Sequence, residues 1–434
     1  MIKYGHPPRG DAGFSERLSI FWIFFILGGI MKKLGKIFLI IIITIIVGLL
    51  IAFGIKKYLD YREEMRIKNA IIKIEFIEPL EVVYNTEVKV SDLITSINGE
   101  FITNPIIDTS KVGTKEVSFR YLNEEDIKVP YKFTLKIIDN TPPTLTVGSS
   151  YTVKKGYDKK LEDVLFCADD YDDNPTCEII GEYDLNTLGT YPLTYRATDF
   201  SGNQTEKNFD LKVVSKTSSS NSSSSSIPFQ KLYDTYKNEN TMIGIDVSKW
   251  QGNINFEKIK DTGIEFVYIK VGGQNGIDKD YYLDSKFKQN IEGFKNIGIP
   301  VGLYFYSYAN SVSKGRNDAL WVIDQIKDYD IDLPIAFDWE NWSSYNKFHV
   351  SFNTLTKTAE AFMDTLKAHG YQSMLYSSKY YLENMWMKTS YPIWLAHYTA
   401  NTTYEGEYKC WQRTSSAKIS GITGNTVDFD ICYK

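Results

Sequence analysis

The sequence predicts a multidomain chain in three parts: a transmembrane helix near the N-terminus, two all-β modules, and a C-terminal region of alternating strands and helices. Three observations carry this. Ile37 to Ile55 is an uncharged apolar run of 19 residues. From about Ala70 to Val214, short alternating apolar stretches are broken by turn residues, and one pattern occurs twice. Beyond Thr241, strand-like and helix-like runs alternate. At 434 residues the chain is also too long for one ordinary domain.

The apolar run is long enough to cross ~30 Å of hydrocarbon as a helix, and it lacks the polar face that a soluble core helix shows. Its length favours an uncleaved anchor over 37–55 rather than a signal peptide, for which Ala52-Phe53-Gly54 is a weak cleavage site. Lys32, Lys33 and Lys36 precede it and Lys56, Lys57 and Arg62 follow it, so the positive-inside rule does not orient it. Residues 1–36 are expected in the cytoplasm. Leu18 to Ile30 is apolar but too short to span comfortably, and Met31-Lys32-Lys33 has the form of an exported protein's N-terminus. Residues 1–30 therefore read as an upstream extension, with a short interfacial segment as the alternative.

Four Cys fall as Cys167 with Cys177 and Cys410 with Cys432, which suits two local disulfides in an oxidising compartment; four buried thiols is the alternative. A net charge of -5 without a long basic run excludes a nucleic-acid partner. The four His are scattered without ligand spacing, so no metal is expected, nor any cofactor.

In the β region, Val112-Gly113-Thr114 leads to Phe119-Arg120-Tyr121 and then to Phe133 through Ile138. Leu188-Gly189-Thr190 leads to Tyr195-Arg196-Ala197 and then to Phe209 through Val214, with the same Gly-to-Arg spacing. Matched spacing predicts two copies of one module, 70–138 and 139–214. Asp139-Asn140-Thr141-Pro142-Pro143 is a stiff junction, and Asp199-Phe200-Ser201-Gly202-Asn203 a hairpin turn. The stretch Asp169 to Asn174 offers carboxylate oxygens to calcium, but it has no loop of known ligand spacing. A solvated loop held by a Cys167–Cys177 bridge is the preferred reading. The repeats resemble bacterial immunoglobulin-like domains of surface proteins, and the resemblance implies spacers or weak adhesion modules. Residues 215–230 are a Ser-rich linker, expected to be a flexible coil that lets the following unit sweep its surroundings.

The C-terminal domain, 241–434, opens with strand Ile243 to Val247, helix Phe256 to Thr262 and strand Phe266 to Lys270. Helix Phe287 to Ile297, strand Val301 to Tyr306, helix Asn317 to Tyr329 and strand Pro334 to Asp338 follow. This rhythm implies a parallel barrel or sheet, whose chemistry belongs at the C-terminal strand ends. Asp246 ends the first strand, and Asp338-Trp339-Glu340 ends the fourth. Positions i and i+2 of a strand project to one side, so Asp338 and Glu340 are expected to face together with Trp339 turned away. Paired carboxylates push their pKa values apart, as glycosidic-bond hydrolysis requires. Alone, the triplet is weak evidence, and a surface pair or an Arg-paired strand end is the commoner meaning of such a pattern.

The surrounding motifs supply context. Asp246-Val247-Ser248-Lys249-Trp250-Gln251-Gly252, Asp338-Trp339-Glu340, Trp394-Leu395-Ala396-His397-Tyr398, Trp411-Gln412, and Gly421 to Gly424 with Val427-Asp428 occur in this order. Together they resemble glycoside hydrolase family 25, the Chalaropsis-type lysozymes or muramidases, over about 190 residues. The resemblance implies an irregular β/α barrel cutting the β-1,4 bond between N-acetylmuramic acid and N-acetylglucosamine. It implies Glu340 as general acid, Asp338 as its partner, and Asp246 and Asp428 as further catalytic carboxylates. Tyr306, Trp394, Tyr398, Gln251 and Gln412 are implied in substrate binding, although core packing suits the aromatics equally. Two positions depart from the family pattern: Phe305 stands where His is frequent, and Asp430 where Asn is common.

The expectation is a single-pass membrane protein with its catalytic domain outside, acting on peptidoglycan glycan strands. One alternative is a wall-binding protein without catalysis, against which the four intact carboxylates count. The other is a hexosaminidase of different specificity, such as a chitinase, against which the absent D-x-x-D-x-D-x-E run counts.

Overall fold

The structure, a computed structural model, describes residues 13–217 and 226–434. The expected cytoplasmic segment and the Ser-rich linker thus lie partly outside the described residues. The chain divides into two compact units, Met1–Ile138 and Asp139–Lys434.

In the first unit, helix α1 runs without a break over Gly13–Lys68. Its part Phe38–Lys68 reaches a mean hydropathy of 3.2 with its apolar window unburied. Among the described residues it is the one helix long and apolar enough to cross a membrane. A four-stranded sheet follows, ordered Glu81–Val83, Lys128–Ile138, Gly113–Asn123, Gly99–Thr103. The first pair is parallel and the others antiparallel. Val117, Phe119 and Tyr121 point inward from one strand and Phe133, Leu135 and Ile137 from the next, the alternation of a half-buried sheet.

The second unit begins with the same design. Ser150–Lys154, Gln204–Val214, Gly189–Thr198 and Thr176–Ile180 form a sheet of identical order and direction. Leu193, Tyr195, Phe209, Leu211 and Val213 fill its core. The internal repeat in the sequence is therefore a repeat of topology.

The rest of this unit is a closed barrel of eight strands: β1 Thr241–Val247, β2 Phe266–Gln274, β3 Val301–Tyr306, β4 Ile335–Asp338, β5 Ser373–Ser378, β6 Ile393–Ala396, β7 Cys410–Lys418 and β8 Val427–Tyr433. Strands β1 to β7 are parallel in sequence order. β8 inserts antiparallel between β7 and β1 and closes the ring. This last strand is the irregularity in an otherwise parallel barrel. Both cysteine pairs are bridged, and Cys410–Cys432 ties β7 across to β8.

Barrel packing starts earlier than Thr241. Ile227–Pro228 pairs with β7, and helix α2, Phe229–Tyr236, buries Phe229 and Leu232. These apolar residues have a core to enter, which is why the chain leaves the linker before residue 230.

Two further expectations change. The stretch after Cys167 is no solvated loop, because Asp169 is 0% exposed. Nor does the barrel swing free of the second module. Helix α3, Phe352–Ala368, is capped by Ser351, whose Oγ accepts from the Thr354 amide. The next amides, of Phe352 and Asn353, donate to the carbonyls of Asp169 and Asp170 at 2.9 and 3.0 Å. Helix-start amides have no partner within the helix, and here the module supplies one. Asp173 accepts from the Ser351 amide at 2.6 Å, placing a negative charge at the positive end of the helix dipole. Asn346 clamps the same contact. It accepts from the Cys167 amide at 3.1 Å and donates to the Glu162 and Leu165 carbonyls at 2.9 and 2.8 Å. Phe166 packs on Tyr345 and Phe352.

Asn346→Ala removes all three of those bonds and leaves backbone groups unpaired, a loss of about 1–3 kcal/mol. A chain of residues 139–434 carrying it should unfold at lower urea, with module and barrel no longer melting together. An unchanged, single transition would show that this contact does not couple them.

Candidate active site

The barrel's C-terminal strand ends bring the sequence-predicted carboxylates together. β4 stops at Asp338, and Glu340 sits one turn later as the residue before the 3-10 segment Asn341–Phe348. Trp339 between them is fully buried against Trp342, Tyr345 and Phe348. The expected division therefore holds, with Asp338 and Glu340 facing together, although Glu340 lies past the strand rather than on it. The two side chains share a hydrogen bond.

The antiparallel β8 contributes the rest. Asp428 pairs in register with Asp246, and Asp430 with Gly244. Gln412 on β7 donates to Asp246 Oδ2 at 2.8 Å, and its Oε1 accepts from Tyr376 and Tyr398 at 2.8 and 2.7 Å. Trp394 donates from Nε1 to Asp430 Oδ1 at 2.9 Å.

Burial raises every one of these carboxyls, because a charge is poorly solvated inside protein. Asp246 is pushed up to about 6 by burial, with bonds from Gln412 and Asp430 holding it down against the added charge of Glu340. Asp338 is raised well above the carboxylate range by burial and then by the Glu340 charge. Asp428 and Asp430 rise likewise, from burial and mutual repulsion with Asp246. Glu340 is raised by burial and held back by its bond with Asp338 and by Lys270. Solvent reaches Glu340 from one side only, so it is exposed at the surface yet crowded by protein behind. Burial raises both members of the pair, so together they favour holding a proton.

Glu340 lines an open cavity of about 570 Å³ with Trp342, Tyr376, Tyr381, His397 and Tyr398. Asp246, Asp338 and Asp428 do not line it. Tyr398 is 56% exposed at its rim. Tyr306 is half-buried, and nearby Asp338 and Glu340 add to the burial that raises its hydroxyl. Other expected contact residues serve as supports. Trp394 is 2% exposed, its ring tilted against Tyr268 and edge-on to Tyr376. Gln251 is buried, accepting from the Ser248 amide and donating to the Thr426 carbonyl. Gln412 is buried, with its amide bonded to Asp246, Tyr376 and Tyr398. Their polar groups are spent inside the protein. The departure at Phe305 is harmless to this cleft, since Phe305 packs outward on Trp321 and Phe362.

Sequence reasoning missed Lys270, whose charge offsets those of Asp246, Asp338 and Glu340. Its Nζ lies 4.5 Å from the Tyr306 ring centre. A bulge in β2 between Lys270 and Gly272 sets this position. Only glycine fits at 272, since a Cβ there would meet the Tyr282 carbonyl oxygen at 2.0 Å. A lysine inside an otherwise apolar strand, just before Gly-Gly, was the available signal. Tyr381, stacked 4.1 Å from Trp342 at 12°, was missed as well.

The model of glycosyl hydrolases family 25 matches residues 245–422. Two curated relatives are similar over this region. The autolytic lysozyme of Clostridium acetobutylicum is 28% identical over 42% of this chain and 54% of its own length. Lysozyme M1 of Streptomyces globisporus is 28% identical over 42% of this chain and 65% of its own. The chain thus spans roughly half to two-thirds of these relatives. A solved structure of the modular autolysin LytC from Streptococcus pneumoniae shares 27% identity over 55% of this chain and 56% of that one, with a TM-score of 0.40.

Asp430 gives a pH test. Its folded pKa lies above the unfolded value, so folding takes up a proton. Stability is then greatest below the unfolded pKa and is lost as pH rises through the folded one. Asp430→Asn keeps an acceptor for Trp394 without the charge. It should raise Tm by a few degrees at pH 7.5, with the gain shrinking toward pH 4. An equal or lower Tm at pH 7.5 would mean that Asp430 carries no uncompensated charge.

Proposed function

We propose that this chain, whose C-terminal domain belongs to glycosyl hydrolases family 25, is a membrane-anchored muramidase. It cleaves the β-1,4 bond between N-acetylmuramic acid and N-acetylglucosamine in peptidoglycan. The observation that carries the reading is that Glu340, alone of the four expected catalytic carboxylates, lines the open cleft while hydrogen-bonded to a buried partner. A general acid needs both a raised pKa and access to the leaving oxygen.

Glu340 protonates the glycosidic oxygen, with Asp338 hydrogen-bonded behind it. The second carboxyl of a two-carboxylate glycosidase stands ~5–9 Å from the first, across the sugar. Asp338 is too close for that position. The nucleophile is then the substrate's own 2-acetamido oxygen, which attacks C1 as the bond to the leaving oxygen breaks. Asp338 and Asp246, behind the cavity wall, act through space on the positive charge developing at the ring. Water next opens the cyclic intermediate, giving its proton to Glu340. Tyr306 and Tyr398 supply aromatic surface to the sugar.

The apolar helix within α1 supports a single-pass anchor, and the two bridged cysteine pairs support an oxidising side for everything after it. The two repeated modules are immunoglobulin-like spacers on that side. Peptidoglycan strands are the substrate, and the lipid bilayer is the partner of the helix.

Glu340→Gln should lower kcat by at least ~10²–10⁴ while leaving glycan binding nearly intact. Asp338→Asn should be severe, and Asp246→Asn and Asp428→Asn milder. The measurement is turnover and affinity for all four on one peptidoglycan preparation, with melting curves. New reducing ends on N-acetylmuramic acid are expected; ends on N-acetylglucosamine, or a folded Glu340→Gln chain with normal turnover, would overturn the assignment.

A further inference from the structure

Three motifs of the second module are not used by the cleft: the Asp139 junction, the acidic stretch at Asp169 and the hairpin at Asp199. The fold brings them together. One carboxylate oxygen from each of Asp139, Asp169 and Asp199 lies within 4.8 Å of the others, and all three residues are buried. Among the described residues this is the grouping of acidic, His or Cys side chains that could hold a metal ion.

The surroundings are built around these oxygens. Asp199 Oδ1 accepts from the Asn203 amide and Oδ2 from Asn203 Nδ2, both at 2.8 Å. Asn203 Nδ2 also donates to the Asp139 carbonyl at 3.2 Å. Asp139 Oδ1 accepts from the Thr141 amide at 3.0 Å. Asp169 Oδ1 accepts from the Tyr171 and Asp172 amides at 2.8 and 2.6 Å. Its Oδ2, on a side chain 0% exposed, has no hydrogen-bond partner. An unpaired buried carboxylate oxygen is costly. Among the described residues, no Lys or Arg forms an ion pair with any of the three.

We propose that Asp139, Asp169 and Asp199 bind one Ca²⁺ ion, with Asp169 Oδ2 as the buried ligand. The donors are all oxygen, which suits a hard cation and not zinc. Three carboxylates leave room for the carbonyl and water oxygens that complete a calcium shell of 6–8 ligands. The expectation of a chain without metal is thereby replaced. The site also has a reach beyond its module, since the backbone of Asp169 and Asp170 caps helix α3 of the barrel. Ordering this loop with an ion steadies the helix start that follows the Glu340 segment.

The test uses the full chain in detergent at neutral pH, with Ca²⁺ itself as the probe. Equilibrium dialysis measures uptake, and thermal unfolding with Ca²⁺ against chelator measures stabilisation. Uptake near one ion per chain is expected, with an affinity of roughly 10⁻⁴–10⁻³ M, typical of extracellular modules, and a rise in Tm. Asp169→Asn and Asp199→Asn should each weaken uptake at least about tenfold. If Asp169→Asn fails to fold, Asp199→Asn decides. Absence of uptake by the unaltered chain at about 10 mM Ca²⁺, far above that range, would overturn the proposal. So would unchanged uptake by a folded variant.

Discussion

The barrel is organised around one electrostatic burden: several carboxyl groups held in low-dielectric surroundings at the ends of neighbouring strands. Left as charges, Asp246, Asp338, Asp428, Asp430 and Glu340 repel one another with little water to screen them. The structure meets this in three ways. Burial shifts all five toward their protonated forms. Lys270 adds positive charge beside three of them. Gln412 and Trp394 donate fixed hydrogen bonds from behind. Of the five, only Glu340 lines the cavity.

That arrangement depends on the closing strand. A fully parallel eighth strand would reach its neighbours from the other end and present different residues at the cleft. Running antiparallel, β8 pairs Asp428 with Asp246 and sets Asp430 opposite Gln412. The Cys410–Cys432 bridge fixes the far end of the same pairing. Strand direction and carboxylate geometry are thus one constraint, and the disulfide stabilises both by restricting the open chain.

Much of this was legible from residues. The i, i+2 spacing of Asp338 and Glu340 foretold their common side, because Trp339 is too large and apolar to share it. The matched Gly-to-Arg spacing foretold two copies of one sheet. What the sequence withheld is of one kind. Trp394, Gln251 and Gln412 stand in motifs that suggest contact with substrate, yet periodicity cannot tell whether an amide or indole faces a cleft or supports it from below. Lys270 was hidden because a strand read as apolar absorbs one lysine without losing its pattern, and the bulge that aims it is a property of the paired backbone. Docking of the second module was hidden for the same reason. It runs through backbone carbonyls of Asp169 and Asp170, which no side-chain pattern reports.

That docking changes what the Ser-rich segment connects. A flexible coil between two independent bodies would let one sweep past the other. Here the bodies already share a helix cap, an asparagine clamp and an aromatic contact. The clamp residue Asn346 lies in the 3-10 segment that begins directly after Glu340. Movement of the module away from the barrel would therefore remove partners from both Asn346 and the start of α3, the two elements that follow Glu340 in the chain. The module is a structural neighbour of the segment that follows Glu340, and the Ser-rich segment is the covalent return between surfaces held together by hydrogen bonds.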